Sequence, residues 1–268
     1  MQELSLSEFS VVGNEVRCSE FDEFQLSINE YFIFGERLLR YIGDGKALYV
    51  EYNSFQKIYP KDSRQASLFD ALSSKDIQVV AVSGPAGSGK TLLTMAWIFD
   101  SLRDKNTRAF FTKPAVTVGS DTFFGPVPGD ISEKFDIFLD SYMDAASKIL
   151  SEKGRLLFEQ WKDSETIGFK PIQFTRGCSW NNTIVVIDEA QNTNWHELKS
   201  VLSRLGDGCK AIVLGDCRQR DLPGQDNGFT RLLSSSAFKN SKLTAHVELE
   251  ADYRGSISRL ISEIDSEI

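Results

Sequence analysis

The chain changes its hydrophobic rhythm near residue 58. Before that point short extended pieces, SVVGNEVR, EYFIFG and ALYVEY, are separated by the turn signals Gly13-Asn14 and Gly43-Asp44-Gly45. This pattern predicts a small β-rich N-terminal appendage over residues 1–57. Beyond it, helical spacing alternates with short apolar runs. IQVVAVS (77–83), AFFTKP (109–114), TIVVID (183–188), KAIVLGD (210–216) and AHVELE (245–250) read as buried strands. TLLTMAWIFDSLRD (91–104) places Leu92, Met95, Ala96, Phe99 and Leu102 at helical spacing. Near-continuous apolar strands suit a parallel sheet covered on both faces, and their alternation with helices suits an α/β architecture over 58–268. A long insertion, 115–182, separates the second and third strands. It opens on the Gly/Pro-rich GSDTFFGPVPGD and continues through two expected helices, about 131–148 and 151–163.

Bulk composition changes this picture little. The 268 residues are 41% hydrophobic and 25% charged, as in soluble globular proteins. No apolar run approaches the roughly 20 residues that span a bilayer, and the N-terminus lacks the form of a secretory signal, so the expectation is a cytoplasmic protein with no membrane partner. The four cysteines, Cys18, Cys178, Cys209 and Cys217, form no C-x-x-C pair, and the two histidines are isolated, which argues against zinc and disulfide frameworks. Net charge is −8. A balance of −5 falls in residues 1–57 and only −3 in the rest. A local basic groove on the larger part is therefore compatible with the acidic total.

Chemistry enters with GPAGSGKT, residues 84–91, of the form G-x-x-x-x-G-K-[ST]. A chance match in a chain of this length is on the order of 1 in 100, and this one sits between an apolar strand and a helix, as the motif requires. Gly84, Gly87 and Gly89 let the backbone turn its N–H groups toward phosphate oxygens. The nucleotide-binding set is then Gly84, Pro85, Ala86, Gly87, Ser88, Gly89, Lys90, Thr91 and Leu92. Lys90 reaches the β and γ phosphates, and Thr91 ligates Mg²⁺ through its hydroxyl. The G-x-G-x-x-G spacing of dinucleotide sites is absent.

IVVIDEAQN (184–192) ends a strand in two acids. Asp188 is placed to hold the water shell of Mg²⁺, and Glu189 to orient and deprotonate an attacking water. Such a pair implies hydrolysis as well as binding. In VLGDCRQRDLPG (213–224), Asp216 and Gln219 follow another strand, with Gln219 set to sense the γ-phosphate or the water. In ELEADYRG (248–255), Arg254 is a candidate arginine finger. Gln65, upstream of the glycine loop, is a candidate reader of the adenine edge. A polar turn for Gln219 and ordinary surface positions for Gln65 and Arg254 are the plain alternatives.

The ordered set GPAGSGKT, TKPAVTVG, FFGPVPGD, EKFD, FTRG, VVIDEAQN and GDCRQRDLP, covering residues 58 to about 263, resembles the PhoH-like proteins. They in turn are similar to the first motor domain of superfamily 1 helicases. The resemblance implies ATP as nucleotide, Mg²⁺ as cofactor, a link to RNA metabolism and a RecA-like core, with the GDCRQ strand between the P-loop strand and the DEAQN strand. By that match Lys90, Thr91, Asp188, Glu189, Gln219 and Arg254 fall on family positions. Arg176, in the R-G element, does too, where it contacts phosphate or nucleic acid. Lys113 stands where the family carries arginine, which keeps the charge and loses the bidentate fork. Cys178-Ser179-Trp180 replaces the usual Arg-Thr-Leu, and ADYRG replaces D-V-V-R-H. About one strand and one helix are expected after GDCRQRDLP, too little for a second motor domain. The expected activity is a Mg-dependent ATPase, helicase-like and RNA-linked, working as a homo-oligomer (ring or dimer) with ATP at the subunit contact. A nucleotide-gated scaffold that binds a protein partner is the competing reading.

Overall fold

The structure, a computed structural model, describes residues 1–4, 6, 8–114, 131–217 and 227–253, with side chains described outside 131–140 and 151–155. Gln219, Arg254 and the Gly/Pro-rich GSDTFFGPVPGD lie outside the described residues.

The first sheet is built by β1 (Gln2–Leu4), β2 (Ser10–Val12), β3 (Glu15–Arg17), β4 (Tyr31–Phe34), β5 (Arg37–Gly43) and β6 (Lys46–Tyr49). Its order is β1-β4-β5-β6-β3-β2, parallel only between β1 and β4. The expected turns are present. Gly13 closes the β2–β3 hairpin at φ 62°, and Gly43, Asp44 and Gly45 all take positive φ between β5 and β6. One face packs its own core of Val16, Phe21, Phe32, Leu39 and Ala47.

The second sheet follows α1 (Ser63–Ser73). Its members and their helices are β7 (Val79–Ser83), α2 (Lys90–Ser101), β8 (Arg108–Thr112), α3 (Ile131–Asp163), β9 (Ile167–Phe169), β10 (Thr183–Ile187), α4 (Trp195–Leu202), β11 (Lys210–Gly215), α5 (Gly228–Ser234), α6 (Ser236–Lys239) and β12 (Thr244–Glu248). The strand order is β12-β7-β11-β10-β8-β9, and every neighbouring pair is parallel. The α/β expectation is met. The GDCRQ strand, β11, lies between the P-loop strand β7 and the DEAQN strand β10.

Side-chain alternation splits each strand between two cores. Val80 and Val82, Ile184 and Val186, and Ile212 and Leu214 face α1, α2 and α3 through Leu68, Leu72, Met95, Phe99 and Phe158. Ala81, Val185, Ile187 and Val213 face α4, α5 and α6 through Leu198, Val201, Phe229 and Phe238. Burial on both faces is why these strands read as unbroken apolar runs.

Two expectations are corrected. The insertion carries one continuous helix, Ile131–Asp163, instead of two. The expected break at 149–150 does not occur, and the one interior glycine further on, Gly154, costs only about 1 kcal/mol. Fully buried Phe158 packs edge-on against Phe99 and near Phe169, which outweighs that cost. The insertion also adds the three-residue edge strand β9, too short to register as a pattern. After residue 226, two short helices precede β12 among the described residues, where a single helix was expected.

Candidate functional site

The glycine loop leaves the C-terminal end of β7, the end of a parallel sheet where ligands bind. Gly84, Gly87 and Gly89 take φ of 152°, 86° and 97°. Gly84 also answers a close approach: a Cβ there would lie 2.2 Å from the Leu249 carbonyl oxygen. The loop is thus pinned by the chain leaving β12, where Leu249 N–H donates to Ser83 O at 2.8 Å and Tyr253 N–H to Gly87 O at 3.2 Å. Lys90 opens α2 and donates through Nζ to the carbonyls of Gly84 and Pro85, at 2.5 and 3.0 Å.

A cavity of about 510 Å³ lies over this loop. Ala86, Gly87, Gly89, Lys90, Thr91 and Leu92 line it, with Gln65, Asp188, Glu189 and Asp216. Gly84, Pro85 and Ser88 sit beneath, shaping the loop. Gln65 is buried, its Oε1 accepting from Lys61 N–H at 2.9 Å and its Nε2 donating to Ser88 O at 3.3 Å. Its amide therefore ties the start of α1 to the glycine loop at the cavity wall. Arg176 is exposed at the end of the 3-10 turn Ile172–Thr175 and does not line this cavity.

The two acids are held differently. Asp188 is 9% exposed, and both its oxygens are engaged: Oδ1 accepts from Glu189 N–H at 3.0 Å, Oδ2 from Tyr142 O–H at 2.8 Å. Glu189 takes a left-handed backbone, φ 52°, uncommon for a residue with a side chain. Its Oε2 accepts from Gln191 Nε2 at 2.7 Å, and Gln191 Oε1 accepts from Asp216 N–H at 3.0 Å. One glutamine thereby fixes the second acid relative to the end of β11. Burial and the Asp188 charge raise the Glu189 pKa, opposed by the Gln191 hydrogen bond and by Lys90 and Lys113. Burial lowers the Lys113 pKa against the pull of Asp188 and Glu189. Burial and Asp188 hold the Tyr142 phenol well above its ordinary range, so it stays a donor.

Tyr142 and Gln191 were missed by the sequence reading. Gln191 stands inside DEAQN, and its amide could be suspected as a brace. Tyr142 has no local signal, because it comes from the insertion helix. That helix also lends Ser141, Asp144, Ala145 and Lys148 to the cavity wall, a stripe at helical spacing.

The donors fit the groups the loop implies. Thr91, Asp188, Glu189 and Asp216 gather hard oxygen ligands of the kind Mg²⁺ takes. The glycine geometry, and the fully buried Ser88 Oγ with no hydrogen-bond partner among the described residues, suit a phosphate cradle. Among the described residues no group of three or more histidines, cysteines or acids is arranged to hold a metal by itself, so an ion here would also need the Thr91 hydroxyl, phosphate oxygens and water, and no helix is long and apolar enough to cross a membrane.

Sheet order, glycine loop and acid pair define the class: a P-loop NTPase domain. Residues 57–264 match the family described as PhoH-like protein, and the chain belongs to that family. It is 39% identical over 168 residues to the PhoH-like protein of Mycobacterium tuberculosis, covering 62% of this chain and 46% of that one. It is 31% identical over 219 residues to Protein PhoH2 of Bacillus subtilis, covering 77% and 47%. The chain thus spans under half the length of these relatives. Among solved structures it is similar to the Pif1 helicase of Candida albicans, with a TM-score of 0.39 and 18% identity, covering 76% of this chain and 43% of that one.

Proposed function

We propose that the cavity binds and hydrolyses ATP with Mg²⁺, and that turnover is linked to single-stranded RNA. The observation that carries this reading is the convergence of Lys90, Thr91, Asp188 and Glu189 on one cavity, with Glu189 braced by Gln191. Lys90 offers charge to the β and γ phosphates from the base of the loop. Thr91 and Asp188 would hold Mg²⁺, Asp188 through water because both its oxygens already accept hydrogen bonds. The bound ion supplies charge neutralisation on the phosphates. Glu189, with its pKa raised, orients a water and accepts its proton. Gln219 and Arg254 complete the reading as γ-phosphate sensor and arginine finger, and Gln65 borders the base end.

The RNA link is supported by membership of the PhoH-like family and the resemblance it carries. Self-association belongs to the same reading. Tyr59, 69% exposed, and Tyr253, 38% exposed, stand on the cavity rim, where a second copy would cover them. ATP hydrolysis by the purified protein, with and without single-stranded RNA, tests the whole proposal. Lys90→Ala should abolish nucleotide binding or turnover. Glu189→Gln should retain ATP and lose about 10²- to 10⁴-fold in rate. Normal turnover by Glu189→Gln would remove the base assignment. Stimulation by RNA supports the link, and rates indifferent to RNA favour the nucleotide-gated scaffold. Light scattering with and without ATP reads the assembly.

A further inference from the structure

A second and larger cavity, about 970 Å³, runs along β9 at the edge of the parallel sheet. It shares no residue with the ATP cavity. Its walls carry three cations, Arg108, Lys162 and Lys170, against one carboxylate, Glu165. This local excess stands out in a chain of net charge −8. Lys162 lies 4.0 Å from Glu159. Among the described residues Arg108 and Lys170 have no ion pair, although both are exposed.

Aromatic rings line the same cavity. Phe174, on the turn after β9, is 54% exposed. Phe110 and Trp180 form a tilted pair, 5.1 Å between centroids, in the cavity wall. Phe174 is thus an exposed ring in the same wall as two cations that have no ion pair among the described residues. An anionic chain bearing flat rings accounts for both features, because phosphates meet the cations while bases stack on the phenyl face. A duplex hides its base faces and does not satisfy Phe174. An acidic peptide would satisfy the cations alone.

We infer that this groove binds single-stranded nucleic acid, with Phe174 as a stacking platform and Arg108 and Lys170 as phosphate contacts. The inference rests on the RNA-linked reading above and gives it a location. Arg176, exposed two residues beyond Phe174, lines neither cavity.

The test is fluorescence anisotropy with short labelled oligouridylate and oligodeoxythymidylate and a duplex of equal length, without nucleotide. The wild-type protein should bind the single strands and prefer them to the duplex; the RNA and DNA arms show which sugar is favoured. Phe174→Ala should weaken binding about tenfold. Phe174→Trp should restore it. Lys170→Glu and Arg108→Glu should each weaken binding and lower the salt dependence, by about 0.7 in log–log slope per lost contact. Basal ATP hydrolysis should stay unchanged in all four variants. Single-strand binding unaffected by these substitutions overturns the groove while leaving the RNA link intact. A wild-type protein that binds no single strand overturns both. Loss of ATPase activity in Lys90→Ala, measured without nucleic acid, decides the nucleotide reading independently.

Discussion

At the residue scale, Glu189 concentrates the compromises of the site. A left-handed backbone on a residue with a side chain costs about 1–2 kcal/mol. Its carboxyl, between Asp188 and the cavity wall, is harder to ionise than an ordinary one. Two consequences have opposite signs. If Glu189 is the base as proposed, its base form is lost as pH falls through the raised pKa, so the acid limb of the pH–rate profile should lie above the usual carboxylate range. The same shift destabilises the folded state wherever Glu189 is ionised, because the unfolded carboxyl ionises more easily. Glu189→Gln should therefore raise the melting temperature at neutral pH, and the gain should vanish as pH falls to the ordinary carboxylate value. Paired thermal melts across that range would show it, and a gain independent of pH would mean that charge is not the cause. Gly84 poses a purely steric question. A Cβ at this position would sit 2.2 Å from Leu249 O, so Gly84→Ala must push the glycine loop from the β12 end. Denaturant unfolding should show a loss of about 1–3 kcal/mol.

At the element scale, α3 is the informative piece. It belongs to the insertion, yet its Tyr142 supports Asp188 and its stripe from Ser141 to Lys148 walls the cavity over the glycine loop. Movement of this helix would be felt directly at Asp188, the acid proposed to hold the metal's water shell. Tyr142→Phe removes one hydrogen bond to a buried carboxylate, a bond worth about 1.5–3 kcal/mol. The Mg²⁺ concentration for half-maximal hydrolysis should rise and kcat should fall about tenfold. An unchanged Mg²⁺ dependence, with lower stability alone, would reduce Tyr142 to packing. The helix itself was legible as apolar periodicity, but its continuity was not. Packing of Ile149, Leu150 and Phe158 against the core holds it continuous, and such contacts across the fold leave no local pattern.

At the scale of the whole molecule, the two sheets are joined by more than chain connectivity. Tyr31, Leu38 and Val50 of the N-terminal region enter the core beneath α1. Buried Arg40 places Nε 2.8 Å from Asp70 Oδ2, an ion pair whose N–H is not aimed as a hydrogen bond, and its Nη1 donates to Asn29 Oδ1 at 2.8 Å. Tyr31 O–H donates to the same Asp70 oxygen at 2.8 Å. Asn29 Nδ2 in turn donates to the carbonyls of Lys242, just before β12, and Thr244, its first residue, which blunts the start of that edge strand against pairing with another chain. Asp70→Ala should leave Arg40 buried and unpaired, at a cost of about 3–5 kcal/mol. Hydrogen exchange should then quicken in β4, β5 and the end of α1 together. Exchange confined to α1 would mean that the N-terminal sheet is held by its apolar contacts alone.

The sequence by itself determined what repeats over short distances. Apolar runs buried on both faces announced the parallel strands, because alternating side chains need a core above and below. The glycine loop, Lys90, Thr91 and the Asp188–Glu189 pair were legible because phosphate and metal chemistry demand those residue types at close spacing. Partnerships between distant residues were decided only by the tertiary structure. Tyr142 meets Asp188 across 46 positions, and Gln191 meets Asp216 across 25. Arg176, which the family resemblance set among the phosphate or nucleic-acid contacts, stands outside the cavity over the glycine loop. Strand order put β11 between β7 and β10, so the two acids and the glycine loop converge. No local pattern encodes that order, because it is set by which faces and edges find partners once the whole chain is packed.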